Sequence, residues 1–157
     1  MSKVLRDYLL DTNVKIFFDI DGVLAPYEFG AVSHCIDDDE WNYAVENKMT
    51  LYGELNSVPV LKEYIEQMKE GYAYALSASG DEWEDKKKFV MDNYDIPEEN
   101  ILKVSSKDEK LDVLRKFAKE NSEYSIAIVE DTVKTLDKIY KELPQIYTIH
   151  VSSFFDE

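Results

Sequence analysis

Asp19 and Asp21 stand two positions apart at the end of an apolar, β-rich run (residues 15–20, KIFFDI), and Gly22, Val23 and Leu24 follow them. Two carboxylates at the end of a run bound for a protein interior are costly to place unless a cation or a reacting group answers them. The pattern recurs along the chain. Ser77 closes the run at 72–76 (YAYAL), and Glu130 and Asp131 close the run at 125–129 (SIAIV). Lys110 stands near the start of a helical stretch carrying Val113, Leu114, Phe117 and Ala118. Carboxylates in such places hold a divalent cation or move protons, while a hydroxyl and an ammonium hold the oxygens of an anion. Singly, each has an ordinary reading. Asp-Gly is a turn, Ser77 a turn or cap, Lys110 a solvated lysine, and Glu130-Asp131 the start of a helix. Their order separates them from those readings, because each ends a strand or opens the helix before one.

The elements that must position these residues alternate. Short β-rich runs lie at 15–20, 72–76, 101–104, 125–129 and 146–151. Between them come helical patterns. Leu61, Tyr64, Ile65 and Met68 recur at i, i+3, i+4 and i+7 after Pro59, which suits a first helical turn. Leu136, Ile139, Tyr140 and Leu143 repeat that spacing, and Pro144 ends it. Ser79-Gly80-Asp81-Glu82 reads as a capping box that opens a helix from Asp81 to about Tyr94. Strand and helix in alternation predict an α/β fold, a doubly wound parallel five-stranded sheet, Rossmann-like, with helices on both faces. Ligands of such sheets bind beyond the carboxyl ends of the strands, where strand order reverses. Asp19, Asp21, Ser77, Lys110, Glu130 and Asp131 are therefore expected on one rim.

Composition narrows the partners. Within 157 residues, 18 basic against 33 acidic side chains leave a net charge of −15. Such a surface repels nucleic acid and anionic membranes, and disfavours both as partners. A small phosphate can still be held locally if a divalent ion and one or two cations sit at the site. With 45% hydrophobic residues, no repeat and no Gly- or Pro-rich linker, residues 1–157 read as one domain. No apolar run is long enough to span a membrane, and the first 13 residues lack the pattern of a secretion signal. Cys35 is the single cysteine, which excludes an internal disulfide. A cytoplasmic protein is expected.

The run Asp19-Ile20-Asp21-Gly22-Val23-Leu24 resembles the signature of the haloacid dehalogenase-like hydrolases, a superfamily of aspartate nucleophiles made mostly of phosphatases. Ser77 resembles their second motif, Lys110 their third and Glu130-Asp131 their acidic fourth, over residues 14–151. The fourth motif departs from the commoner Gly-Asp form, so it is open whether Glu130 binds metal or points away. The resemblance implies a phosphatase that uses Mg2+, held by Asp19, Asp131 and the backbone carbonyl of Asp21. Asp19 would attack phosphorus and form an aspartyl-phosphate, and Ser77 and Lys110 would hold the phosphoryl oxygens. Lys107 is the alternative to Lys110. Asp21 would protonate the leaving group and later take a proton from water. Relatives that displace halide have no aspartate in its place, so Asp21 favours phosphate esters as substrates.

In that family an inserted cap selects the substrate. Here 33 residues separate Leu24 from Val58, enough for a flap and one short helix (residues 25–57) but not for a cap domain. Near-capless relatives act on large substrates or borrow a second copy of the chain as a lid, which makes a homo-oligomer a candidate partnership. The insert carries Tyr27, Phe29, His34, Cys35, Trp41 and Tyr43, and Trp83 lies beyond Ser77; aromatics of this kind could stack on a substrate. Trp41, Val45 and Met49 equally fit the buried stripe of the short helix, which Asp37–Glu40 would open, leaving Tyr43 off that stripe. His150 reads as structural. A two-component receiver uses similar groups, but by resemblance its acceptor aspartate follows the third strand. Here Ser105 and Ser106 follow it, with no aspartate before Asp108. The competing function is a non-catalytic phosphate-sensing or partner-binding module on the same fold.

Overall fold

A computed structural model describes residues 3–11, 13–26, 38–53 and 55–155. Among these residues six α-helices and five strands follow one another: α1 (Lys3–Asp11), β1 (Val14–Phe18), α2 (Asp38–Glu46), α3 (Pro59–Gln67), β2 (Ala73–Ala78), α4 (Trp83–Asn93), β3 (Ile101–Val104), α5 (Lys107–Glu120), β4 (Ser125–Glu130), α6 (Val133–Glu142) and β5 (Tyr147–His150). The strands form one sheet in the order β3-β2-β1-β4-β5, with all four pairings parallel. The fold is the expected α/β class. Among the described residues no helix is long and apolar enough to cross a membrane.

Period-two alternation divides the core into two layers. Ile16, Phe18, Ala127 and Val129 face α3 and α4 and pack with Leu61, Tyr64, Ile65, Phe89 and Val90. Phe17, Ile126 and Ile128 face the other way, onto Leu111, Leu114, Ile139 and Leu143. Central strands covered on both sides need apolar residues at every position, which explains the unbroken runs FF and IAIV. The chain winds from β1 out to β3 through α3 and α4. It then returns behind the sheet through α5 to β4, so strand order reverses between β1 and β4. The ends of those two strands flank the crevice where such folds bind ligands.

Several local expectations shift. Strand β1 stops at Phe18, so Asp19 opens the following loop, whereas β2 runs on through Ser77 and β4 includes Glu130. Helix α4 begins at Trp83, and its N-cap residue Glu82 makes no side-chain capping bond. Ser79 Oγ instead donates to Glu82 Oε1 at 2.8 Å, a contact within the loop. The working cap lies at α5, where Ser106 Oγ accepts from the Glu109 N–H and Glu109 accepts from the Ser105 N–H. Tyr140 is exposed, since the stripe of α6 is narrow and is filled by Thr135 and Ile139. Met49 lies past the end of α2 and is exposed, so it cannot extend a buried stripe. Helix α1 had no counterpart among the sequence expectations. In the insert, Tyr27, Phe29, His34, Cys35 and Asp37 lie outside the described residues, as does the side chain of Trp41.

Candidate active site

The loop after β1 folds back on itself. Ala25 N–H donates to Ile20 O at 2.8 Å, Val23 N–H to Ile20 O at 3.1 Å and Gly22 N–H to Ala25 O at 3.0 Å. These bonds present Asp19 and Asp21 from a closed turn rather than a free loop. Gly22 has φ +76°, and a Cβ there would come within 2.1 Å of Asp131 Oδ2. Only glycine lets the two strand-end loops approach this closely.

Asp19 is 9% exposed. Its Oδ1 accepts the Ile20 N–H at 2.9 Å and lies 3.2 Å from Lys110 Nζ, so the carboxylate is held in one orientation. Lys110 projects from the first turn of α5, where the Ser106 cap sets the helix start, and its ammonium also donates to Glu130 Oε1 at 3.0 Å. The other oxygen of Glu130 accepts the N–H groups of Asp131 and Thr132, at 3.0 and 3.1 Å. Glu130 is thereby spent on anchoring the loop after β4 and on pairing Lys110. This answers what its side chain does there: it turns toward the lysine and the backbone. Thr132 Oγ1 donates to Asp131 Oδ1 at 3.1 Å. His150 Nδ1 accepts the Ser152 N–H, which leaves Nε2 to donate to the Asp131 carbonyl at 3.0 Å. The histidine supports the loop, in keeping with a structural role.

Ser77 is buried at the end of β2. Asp21, half-buried, accepts from Tyr52 Oη at Oδ1 and from Lys86 Nζ at Oδ2, both at 2.7 Å. Asp19, Asp21, Ser77, Lys110, Glu130 and Asp131 all border one cavity of about 200 Å³, with Lys107 at its exposed edge. Every site residue expected from the sequence is brought to one place. Trp83 is not part of it. It packs against the core on the α4 side and borders a separate hollow with Ile101 and Lys103. Tyr43 projects to solvent.

Electrostatics mark the carboxylates as short of positive charge. Burial raises the Asp19 carboxyl from 3.8 to about 7; Lys110 opposes that rise, while Glu130 and Asp21 add to it. Asp131 is raised too, chiefly by burial and then by Glu130. For Glu130, burial also works upward, but the charge and hydrogen bonds of Lys110 outweigh it and hold the group below its ordinary value. Burial tends to lower Lys110, and its two carboxylate partners more than reverse that. Asp19, Glu130 and Asp131 offer oxygens within 4.8 Å of one another. Three carboxylates against one buried ammonium leave an excess of about two negative charges, the charge of one hard divalent cation with oxygen ligands. With Glu130 turned to Lys110, Asp19 and Asp131 are the carboxylate donors that suit a hard divalent cation such as Mg2+.

Lys86 and Tyr52 were not anticipated. Lys86 hides in the run Lys86-Lys87-Lys88, although its spacing to Phe89 and Val90 puts it on the buried stripe of α4. Tyr52 carries no sequence signal at all.

No family model matches the chain, and no curated protein matches it. Among solved structures, DsGPDH of Dunaliella salina is similar at 14% sequence identity with a TM-score of 0.48, over 90% of this chain and 24% of that one. The chain spans about a quarter of the length of that protein.

Proposed function

We propose that this chain is a Mg2+-dependent hydrolase of phosphate monoesters, of the haloacid dehalogenase-like kind that its motifs resemble, with Asp19 as nucleophile. The observation that carries this reading is the convergence of Asp19, Asp21, Ser77, Lys110 and Asp131 on one cavity between the ends of β1 and β4. When bound, Mg2+ held by Asp19, Asp131 and the Asp21 carbonyl would neutralise phosphoryl oxygens that otherwise repel an anionic nucleophile.

The chain's own residues account for the rest. Ser77 hydroxyl and Lys110 ammonium hold the remaining phosphoryl oxygens. An Asp19 oxygen forms a bond to phosphorus as the bond to the ester oxygen breaks, and Asp21 gives its proton to that departing oxygen. Water then attacks the aspartyl-phosphate while ionised Asp21 takes its proton. The bond between Asp19 and phosphorus breaks, phosphate leaves, and both carboxyl groups return to their starting states. Lys110, fixed between Asp19 and Glu130, also works against the effect of burial on the nucleophile and so favours its ionised form.

A panel of alkyl, sugar and nucleotide monophosphates assayed with Mg2+ tests the reading, by release of inorganic phosphate from at least one class. Binding of inorganic phosphate without hydrolysis of any ester would favour the phosphate-sensing module instead. Lys110 and Lys107 separate in the same assay. Lys110→Met is expected to lower kcat/KM about 10²–10³-fold, because it removes a buried charge aimed at the phosphoryl group. Lys107→Met, at the solvent edge, should cost less than about tenfold. The opposite ranking would transfer the phosphate-binding role to Lys107.

A further inference from the structure

Asp21 is gripped at both oxygens, by two groups from separate segments of the chain. Lys86 Nζ reaches Oδ2 from the middle of α4. It is 1% exposed, and it also lies 3.4 Å from Ser77 Oγ and 3.2 Å from Ala78 O. Glu82, one turn earlier, is 3.5 Å away. Burying an ammonium is costly, and an apolar residue of similar volume on that stripe would serve stability as well or better. Lys86 spans Asp21 and Ser77, two residues assigned to opposite ends of the bond to be broken. Its placement is therefore better explained by the site than by the core.

Tyr52 reaches Oδ1 from the segment that leads from α2 to α3. That segment is tied down by the neighbour of Lys86. Asp85 accepts the N–H of Leu51 at 2.6 Å, the N–H of Tyr52 at 3.2 Å and the hydroxyl of Thr50 at 2.9 Å. The Tyr52 ring in turn packs under Lys86, with Nζ 5.9 Å from its centroid. Consecutive residues of α4 thus act on one carboxylate, Lys86 directly and Asp85 through the backbone of Tyr52.

We propose that Lys86 and Tyr52 are positioning residues that orient the Asp21 carboxyl toward the leaving-group oxygen, and that neither touches the substrate. This rests on the phosphatase reading above. A carboxyl held by two partners delivers its proton along one direction, and most of the gain from a general acid depends on that alignment. The benefit applies only where the departing oxygen needs the proton. An alkoxide needs it; a dinitrophenolate does not.

The leaving-group dependence is the test. Lys86→Met and Tyr52→Phe are compared with the unmodified protein on an alkyl phosphate and on 2,4-dinitrophenyl phosphate. The quantity read is kcat/KM, which covers the steps up to the first bond cleavage and excludes hydrolysis of the aspartyl-phosphate. On the alkyl ester, Lys86→Met should lose about 100-fold and Tyr52→Phe about tenfold, and on the dinitrophenyl ester both should stay within about threefold. Inhibition by inorganic phosphate should be unchanged, because the phosphoryl-binding groups remain. Equal losses on the two esters, which a purely structural role would give, overturn the proposal, as does no loss on either. Tyr52→Phe removes one hydroxyl and keeps the ring, so it answers the question even if Lys86→Met folds poorly. An unmodified protein that cleaves neither ester overturns the phosphatase reading, and the positioning roles with it.

Discussion

Asp19→Asn is expected to fold as the unmodified protein does and to lose turnover by at least about 10⁴-fold, since it removes the proposed nucleophile. The amide keeps the volume of the carboxylate, and its oxygen can still accept the Ile20 N–H and the Lys110 ammonium that hold Asp19 Oδ1. An amide oxygen is, however, too weak a nucleophile for phosphorus. The variant also spares the fold a charge that it holds poorly. Burial lifts the Asp19 carboxyl to about 7, so in the metal-free protein this group opposes folding as pH rises from about 4 through 7. The amide has no such cost, and Asp19→Asn should match or exceed the unmodified protein in urea denaturation at pH 8 without metal. Hydrolysis of p-nitrophenyl phosphate at a near-normal rate by this variant would remove Asp19 from the role of nucleophile.

Removal of divalent metal is expected to abolish turnover, and Mg2+ to restore it. The ion competes with protons for Asp19 and Asp131, both of which burial raises above their ordinary values. Below about pH 7 the Asp19 carboxyl in the metal-free protein carries a proton that must leave before the ion binds. The Mg2+ concentration for half-saturation should therefore rise as pH falls from 8 to 6, by up to about tenfold per unit below 7, and level off above it. Titration calorimetry at pH 6, 7 and 8 measures this directly, independent of any assay. Full activity in excess chelator would overturn the metal assignment, and an affinity that strengthens toward low pH would contradict the protonated resting state of Asp19.

The rim of the sheet was legible in the sequence because its signals are local. An acid or a hydroxyl directly after an apolar run is unusual wherever it stands, and three such places, with Lys110 opening the helix before the last of them, point to one rim. The parallel sheet was legible for the same reason, since runs such as IAIV at 126–129 leave no polar side to face water. What escaped notice depends on contacts across the chain. The direction of the Glu130 side chain is decided by Lys110 and by two backbone N–H groups. Lys86 is one of three adjacent lysines, and only the packing of α4 on the sheet buries that one. Capping at 79–82 and at 105–109 looks alike in sequence. The difference lies in where the helix starts, which β2 settles by running two residues further than its apolar pattern suggested. Met49 fell off its stripe because α2 ends at Glu46, and Lys48, at φ 53°, turns the chain away.

The pairing of β1 with β4 has a consequence for how the molecule comes into being. Phe18 lies beside Val129, so the central ladder joins segments about 110 residues apart, a connection that forms late and slowly. During synthesis the aspartates after β1 emerge early and stay hydrated, apart from Glu130 and Asp131, until β4 has left the ribosome. Only then does the chain bear the mutual repulsion of its carboxylates, together with the lysine that relieves it. The electrostatic burden of the candidate site thus falls on the stage of assembly at which β4 completes the two apolar layers.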